Sequence, residues 1–312
     1  MSYASSTTGQ QLTQFSNEPT KSSSGLMKIG TTLGNSTAIP AVTTALLSGR
    51  EERRNMGKFD SFLTGLNIEV SDPRKDVPKL KILLYGPSGT GKTSLASTAS
   101  TVKELGPVLY IDLERGTAPA AKYGDLDNML VVQPATYKEF ADLLVKISEA
   151  KDKPFKTVII DTVDRLQELI KLHFTAINPK DSFAMWAAAY DKVLDLVNMI
   201  AFDASLNIIC ITHESREIVE TERLSQIAPD FEGKKSFKKL PSIFDLIGRM
   251  TWEDVGDNEE ENLVVVLNVK SSSSILTKTR FDNMPPMIGN PTMSKIMYWV
   301  HEHYNMKAED GD

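Results

Sequence analysis

The run Gly86-Pro87-Ser88-Gly89-Thr90-Gly91-Lys92-Thr93 constrains this chain more than any other stretch of it. It satisfies G-x-x-x-x-G-K-[ST] and lies between a short apolar strand, Leu80 to Tyr85, and a helix expected to reach about Lys103. Glycines at these positions let the backbone close around an anion with its N–H groups, and the helix N-terminus adds a favourable dipole. The phosphates of ATP fit such a cradle. Lys92 would neutralise the β- and γ-phosphates, and the Thr93 hydroxyl would ligate Mg²⁺. With Ser94 added, Gly86, Pro87, Ser88, Gly89, Thr90, Gly91, Lys92, Thr93 and Ser94 form the expected nucleotide-binding set.

A loop of this kind needs a sheet behind it, and the sequence supplies one. Apolar strands at Val108 to Leu113, Thr157 to Ile160 and Leu206 to Thr212 alternate with helices. The helices are expected at Tyr137 to Ala150, Val163 to Phe174 and Ser182 to about Ala204. Short, wholly apolar strands separated by helices indicate a parallel sheet covered on both faces. After residue 240 the pattern changes: Gly248 to Trp252 and Leu263 to Val269 flank an acidic turn, and Ile275 to Arg280 could form a third strand. The expected fold is α/β, a mostly parallel sheet flanked by helices with an antiparallel hairpin at one edge.

Composition divides the chain. Residues 1–48 are rich in Ser, Thr, Gly, Asn and Gln, with Glu18, Lys21 and Lys28 as their only charges. Such a stretch buries too little apolar surface to offset the entropy of ordering it, so it reads as a disordered or extended tail. Residues 49–78 form a linker, in which Phe59, Phe62, Leu63 and Leu66 recur at helical spacing. That face could dock on a neighbouring subunit or pack on its own domain. The ATPase domain is expected over 79–300, and 301–312 as an acidic C-terminal tail. A single cysteine, Cys210, excludes a disulfide framework and a Cys-rich zinc site. No apolar run approaches a membrane span and the N-terminus lacks a signal-peptide pattern, so a cytoplasmic protein without a membrane partner is expected.

Several polar residues fall at strand ends, where an open α/β sheet places its site. Asp161 ends the strand Val158-Ile159-Ile160 and could hold the Mg²⁺ shell, or cap the following helix. Thr162 follows it, where many hexameric AAA+ motors place their catalytic base, so the base must come from elsewhere. Glu114, at the end of Tyr110-Ile111-Asp112-Leu113, could orient and deprotonate the attacking water, or pair with Arg115 in a solvated loop. His213 ends the Leu206 to Thr212 strand and could sense the γ-phosphate, or be bonded within a turn. The net charge of −6 argues against a basic coat, yet Lys234, Lys235, Lys238 and Lys239 stand together without an intervening acid. They belong to the segment from Glu214 to Leu240, a candidate DNA-binding loop that also holds Arg216, Arg223, Phe231 and Phe237. Lysines meet phosphates and a phenylalanine can stack on an unpaired base, a combination suited to single strands; the plainer alternative is a solvated loop with its aromatics tucked inside. Trp186 and Tyr190, one helical turn apart, read as core, and Tyr123 could stack on adenine without anything requiring it.

Taken in order, these residues resemble the RecA-type recombinase core. They are most similar to the bacteriophage branch of single-strand-annealing and recombination ATPases, the Sak-type proteins. The likeness covers about residues 79–290. It rests on the phosphate loop, Ile111 to Glu114, Val158 to Asp161, Thr212-His213 and Lys278-Thr279-Arg280. It implies Glu114 as catalytic carboxylate, Asp161 as the Mg²⁺-side acid, and Lys278 and Arg280 as fingers reaching the ATP of an adjacent subunit. It further implies a filament or ring that binds single-stranded DNA, with a single-strand-binding protein as a further partner. Two departures stand out: RecA itself has a glutamine where this chain has His213, and the basic pair is Lys and Arg rather than two lysines. A ring-forming DNA motor and a nucleotide-gated replication adaptor are the alternatives that the same core allows.

Overall fold

The computed structural model describes residues 78–304 apart from 117, 178–181, 220–223, 232–238, 240 and 255–261. The expected tail, the linker with its Phe59 to Leu66 face, and Lys234, Lys235, Phe237 and Lys238 lie outside the described residues, as do the side chains of Trp186 and Tyr190. In chain order the elements are β1 (Lys81–Tyr85), α1 (Lys92–Ser97), β2 (Val108–Asp112), α2 (Ala118–Tyr123), β3 (Met129–Val132), α3 (Tyr137–Glu149), β4 (Thr157–Asp161), α4 (Val163–Ile177) and α5 (Ser182–Ala201). They continue with β5 (Asn207–Thr212), β6 (Glu214–Val219), β7 (Leu224–Pro229), β8 (Leu246–Asp254), β9 (Leu263–Asn268), β10 (Lys278–Thr279), β11 (Met287–Gly289) and α6 (Met293–His303).

The main sheet has the order β11-β9-β8-β1-β5-β4-β2-β3, with β10 pairing on β8. From β8 to β3 every neighbour pair is parallel, whereas β9 and β11 add antiparallel edges. Every residue of β2, β4 and β5 is buried, in keeping with the Val, Ile and Leu that fill their middles and with strands covered on both faces. One face packs Leu83, Ile111, Ile160 and Ile208 against α3, α4 and α5. The other packs Leu84, Ile159 and Ile211 against α1 and α6. The mostly parallel sheet, flanking helices and antiparallel edge agree with the sequence reading.

Local differences have local causes. The helix expected to Lys103 is α-helical only to Ser97 and tightens to a 3-10 turn over Thr98–Thr101. There Thr98, Ser100 and Thr101 each donate a hydroxyl to the carbonyl three residues back, which competes with the α-helical pattern. The strand expected from Ile275 to Arg280 shrinks to Lys278–Thr279, because Ile275 instead bridges to Ile227 and its N–H bonds the Ser272 hydroxyl. The segment from Glu214 read as a DNA-binding loop opens with a β-hairpin, paired from Glu214↔Pro229 to Val219↔Leu224. Phe231, read from sequence as either stacking on a base or tucked inside, is 2% exposed and lies in the core cluster with Ile243 and Phe244. The C-terminal tail expected from 301 begins inside α6, whose Met293, Ile296, Met297 and Val300 are buried on one face. Among the described residues no helix is long and apolar enough to cross a membrane.

Candidate functional site: a phosphate loop and the strand tips beside it

The phosphate loop turns tightly because its glycines occupy backbone that other residues avoid. Gly86, Gly89 and Gly91 have φ of 148°, 81° and 84°. At Gly86 a Cβ would meet the Met250 carbonyl oxygen at 2.2 Å, so β8 itself fixes glycine there. Thr90 Oγ1 braces the loop by donating to the Pro87 carbonyl at 2.9 Å. Ser88 and Gly89 are exposed at its rim. Lys92 is buried, and its Nζ donates to the carbonyls of Gly86 and Pro87 at 2.9 Å each. Burial holds this ammonium below its usual range, opposed by the carboxylates of Asp161, Asp164, Glu114 and Glu214.

Strand order decides what faces the loop. Beyond β1 come β5, β4 and β2, and their C-terminal tips bring His213, Asp161 and Glu114 to one side of it. Thr93 Oγ1 donates to Asp161 Oδ2 at 2.8 Å, and the Tyr110 hydroxyl, from within β2, donates to the same oxygen. Burial pushes the Asp161 carboxyl up to about 6, with those two hydrogen bonds pulling it down and the charges of Glu114 and Asp112 pushing it further up. Asp112 shapes the next tip: its Oδ1 accepts from the N–H groups of Glu114 and Gly116 at 3.1 and 3.2 Å, and its Oδ2 accepts from Gln133 Nε2 at 2.8 Å. The resulting turn sets Arg115 at φ 60° and leaves the Glu114 carboxylate accepting from Thr162 Oγ1 at 3.0 Å.

His213 joins this group through a residue that the sequence reading missed. Its Nδ1 donates to Asp164 Oδ2 at 2.8 Å, while Thr212 Oγ1 donates to Asp164 Oδ1 at 3.1 Å. Glu114 Oε1 stands 3.9 Å from the same Nδ1. Ligand atoms of Glu114, Asp164 and His213 all lie within 4.8 Å of one another. Tyr110 was missed as well. The only sequence signal for either residue is its position, Tyr110 within the strand before Glu114 and Asp164 three residues past Asp161.

Lys278 and Arg280 stand elsewhere. Lys278 Nζ donates to the carbonyls of Phe244 and Ser242 at 2.6 and 3.3 Å, and Arg280 Nη1 bonds Asp245 Oδ1 at 2.7 Å. Asp245 pairs through its N–H with the Lys81 carbonyl, at the start of β1. Both cations are therefore at the opposite end of the strands from their own phosphate loop, roughly 13 Å along β1. Of the basic segment, Lys239 is described and exposed.

The loop fits a nucleotide. The positive φ of Gly86, Gly89 and Gly91 suits a loop whose N–H groups converge on an anion, and the buried Lys92 ammonium is held in that loop by the Gly86 and Pro87 carbonyls. The Thr93 hydroxyl and the Asp161 carboxylate are hard oxygen donors of the kind that hold Mg²⁺ beside phosphates. The family model for the AAA domain matches residues 78–281, which spans the loop, all three strand tips and the Lys278 to Arg280 segment. The chain belongs to the AAA domain family. It thus carries a nucleotide-binding ATPase domain. The ATP-dependent Clp protease ATP-binding subunit ClpX 3 of Methylococcus capsulatus is 34% identical over 116 residues, which are 37% of this chain and 24% of that one. The chain thus spans about a quarter of that relative's length. Among solved structures, a prototypical ATPase from the type III secretion system of pathogenic bacteria matches 56% of this chain and 52% of its own, at 13% identity and a TM-score of 0.39.

Proposed function

We propose that this chain is an ATP-dependent single-stranded-DNA-binding protein, a recombination or annealing factor that works as a homo-oligomeric filament or ring. One observation carries the reading. The β6–β7 hairpin, which the basic segment follows in the sequence, is rooted at the hydrolytic end of the nucleotide site. His213, bonded to Asp164 beside Glu114, leads directly into β6, and its carbonyl accepts from the N–H of Asp230 at 2.9 Å where β7 returns. The lysine run at 234–239 follows within a few residues. A γ-phosphate that draws on Glu114 or His213 would therefore act on the root of both strands, from which the sequence runs on to the lysines.

In this reading the loop amides and Lys92 bind the phosphates, while Thr93 and Asp161 hold Mg²⁺, which would neutralise charge developing on the phosphate oxygens. Glu114 orients water and accepts its proton, and Thr162 fixes the carboxylate for that task. Lys278 and Arg280 are assigned to the ATP of a neighbouring subunit, since they lie far from their own. The AAA domain match favours a second reading, a ring-forming DNA motor built on the same core. Strand-annealing and strand-displacement assays run side by side with ATP and a non-hydrolysable analogue test both. Annealing stimulated by nucleotide supports the first reading and unwinding the second. Neither activity, with nucleotide-dependent DNA binding retained, would point to an adaptor.

A further inference from the structure

The hydrolytic groups all lie on one side of β1, and the other side holds an unused aromatic. Asp161, Glu114 and His213 come from β4, β2 and β5, whereas the strand on the opposite flank of β1 is β8. A triphosphate lying in the loop with its terminal phosphate toward Glu114 and Asp161 must send its nucleoside toward the opposite flank. β8 runs past the loop there in close contact. The Met250 carbonyl abuts Gly86, and Met250 Cε comes within 4.0 Å of a Cβ built at Gly91. Two residues on, and so on the same face of the strand, stands Trp252. Its Cη2 lies 3.8 Å from a Cβ built at Gly89, at the exposed rim of the loop. The indole is 42% exposed, although Met250 just below it is buried.

We propose that Trp252 is the base-stacking residue of the nucleotide site, and that a purine ring packs on its indole. The proposal rests on the reading of 86–93 as a nucleotide site and adds which residue recognises the base. An indole supplies a broad π-surface that holds a planar base by stacking without needing a hydrogen bond. Tyr123, the other exposed aromatic near α1, is placed less well. A Cβ built at the adjoining Gly124 would come within 3.1 Å of the Ser97 carbonyl oxygen, at the far end of that helix, and the Tyr123 ring already lies under Lys122 Nζ at 5.2 Å.

The test compares ATP with inorganic tripolyphosphate, which has the phosphates and no base. Dissociation constants for both are measured by calorimetry on the full chain as wild type, Trp252→Ala and Trp252→Phe, with Lys92→Ala as the phosphate-site control. Trp252→Ala should weaken ATP roughly five- to a hundredfold and leave tripolyphosphate within about twofold. Trp252→Phe should keep most of the ATP affinity. In steady state the alanine variant should raise KM for ATP with kcat nearly unchanged. Equal weakening of both ligands by Trp252→Ala would overturn the proposal, since the indole would then be shaping the loop. Unchanged ATP affinity would overturn it as well. A wild-type protein that binds tripolyphosphate as tightly as ATP would remove base stacking while leaving the phosphate site standing, and loss of both ligands in Lys92→Ala alone marks that site.

Discussion

Gly86→Ala is the sharpest test of how the loop is built into the sheet. The added methyl would sit 2.2 Å from the Met250 carbonyl oxygen, well inside any real contact, and the obstacle is backbone of a paired strand. Relief would require β1 and β8 to separate where Tyr85 pairs with Arg249. The φ of 148° adds strain of about 1–3 kcal/mol for a residue with a Cβ, and overpacking against a rigid neighbour adds about 1–3 kcal/mol more. A total of roughly 2–6 kcal/mol is a large part of the 5–15 kcal/mol that holds a domain together. It corresponds to a melting temperature lower by roughly 5–20 °C. Two other glycines calibrate the scale. At Gly248 the methyl would meet Leu267 Cδ1 at 2.4 Å, a side chain that can turn away, so alanine should cost about 1 kcal/mol. At Gly116 nothing lies within 4 Å, and alanine should be neutral to about 0.5 kcal/mol. Thermal melts without nucleotide read the order directly and avoid ligand stabilisation. A Gly86→Ala protein that melts within about 2 °C of wild type, or below which Gly116→Ala falls, refutes the reasoning.

Glu114→Gln should keep ATP binding and slow hydrolysis by about 10²–10⁴-fold, because the amide retains the bond from Thr162 without the carboxylate's basicity; near wild-type turnover would reject Glu114 as the base. Replacing Lys234, Lys235, Lys238 and Lys239 with Ala should weaken single-strand binding and reduce the log–log salt slope by about 0.7 for each phosphate that a lysine no longer neutralises, and an unchanged slope would move the DNA path elsewhere. Arg280→Ala should abolish hydrolysis yet recover it on mixing with inactive Lys92→Ala, since some mixed interfaces then pair an intact loop with an intact finger. The Arg280 guanidinium is 55% exposed in its pair with Asp245, so the variant should fold, and a verified mixed complex without activity would end the trans-finger assignment.

The parts of the site that were legible in the sequence are those whose chemistry is local. The loop, its strand and its helix are contiguous, so residues 86–93 could be read without any tertiary knowledge. Asp161 and Glu114 could be found because each ends an apolar run. Asp164 and Tyr110 could not, because their meaning depends on partners 49 and 51 residues away. The β6–β7 hairpin escaped because Glu214-Ser215-Arg216-Glu217 shows no apolar alternation; its pairing is fixed instead by its base, where Ile227 bonds Ser274 and Leu276. Helix α6 is readable from Met293, Ile296, Met297 and Val300 at helical spacing, yet the acidic residues beyond it drew the expected tail back into its last turn. For Phe231 the sequence left two alternatives, stacking on a base or tucking inside, and its burial bears out the second.

The separation of Arg280 from its own phosphate loop along β1 gives each subunit a head and a tail. If the tail of one completes the head of the next, the contact joins two different surfaces and does not close on itself as a pair. An open filament of n subunits then has one unfinished site at one end and one idle arginine at the other, leaving n − 1 competent sites, whereas a closed ring has n. Turnover per subunit would climb from zero in the monomer through half in the dimer and approach a plateau with length. A ring would instead switch on in one step. Measuring activity against assembly size would thus report the symmetry of the oligomer without an image of it.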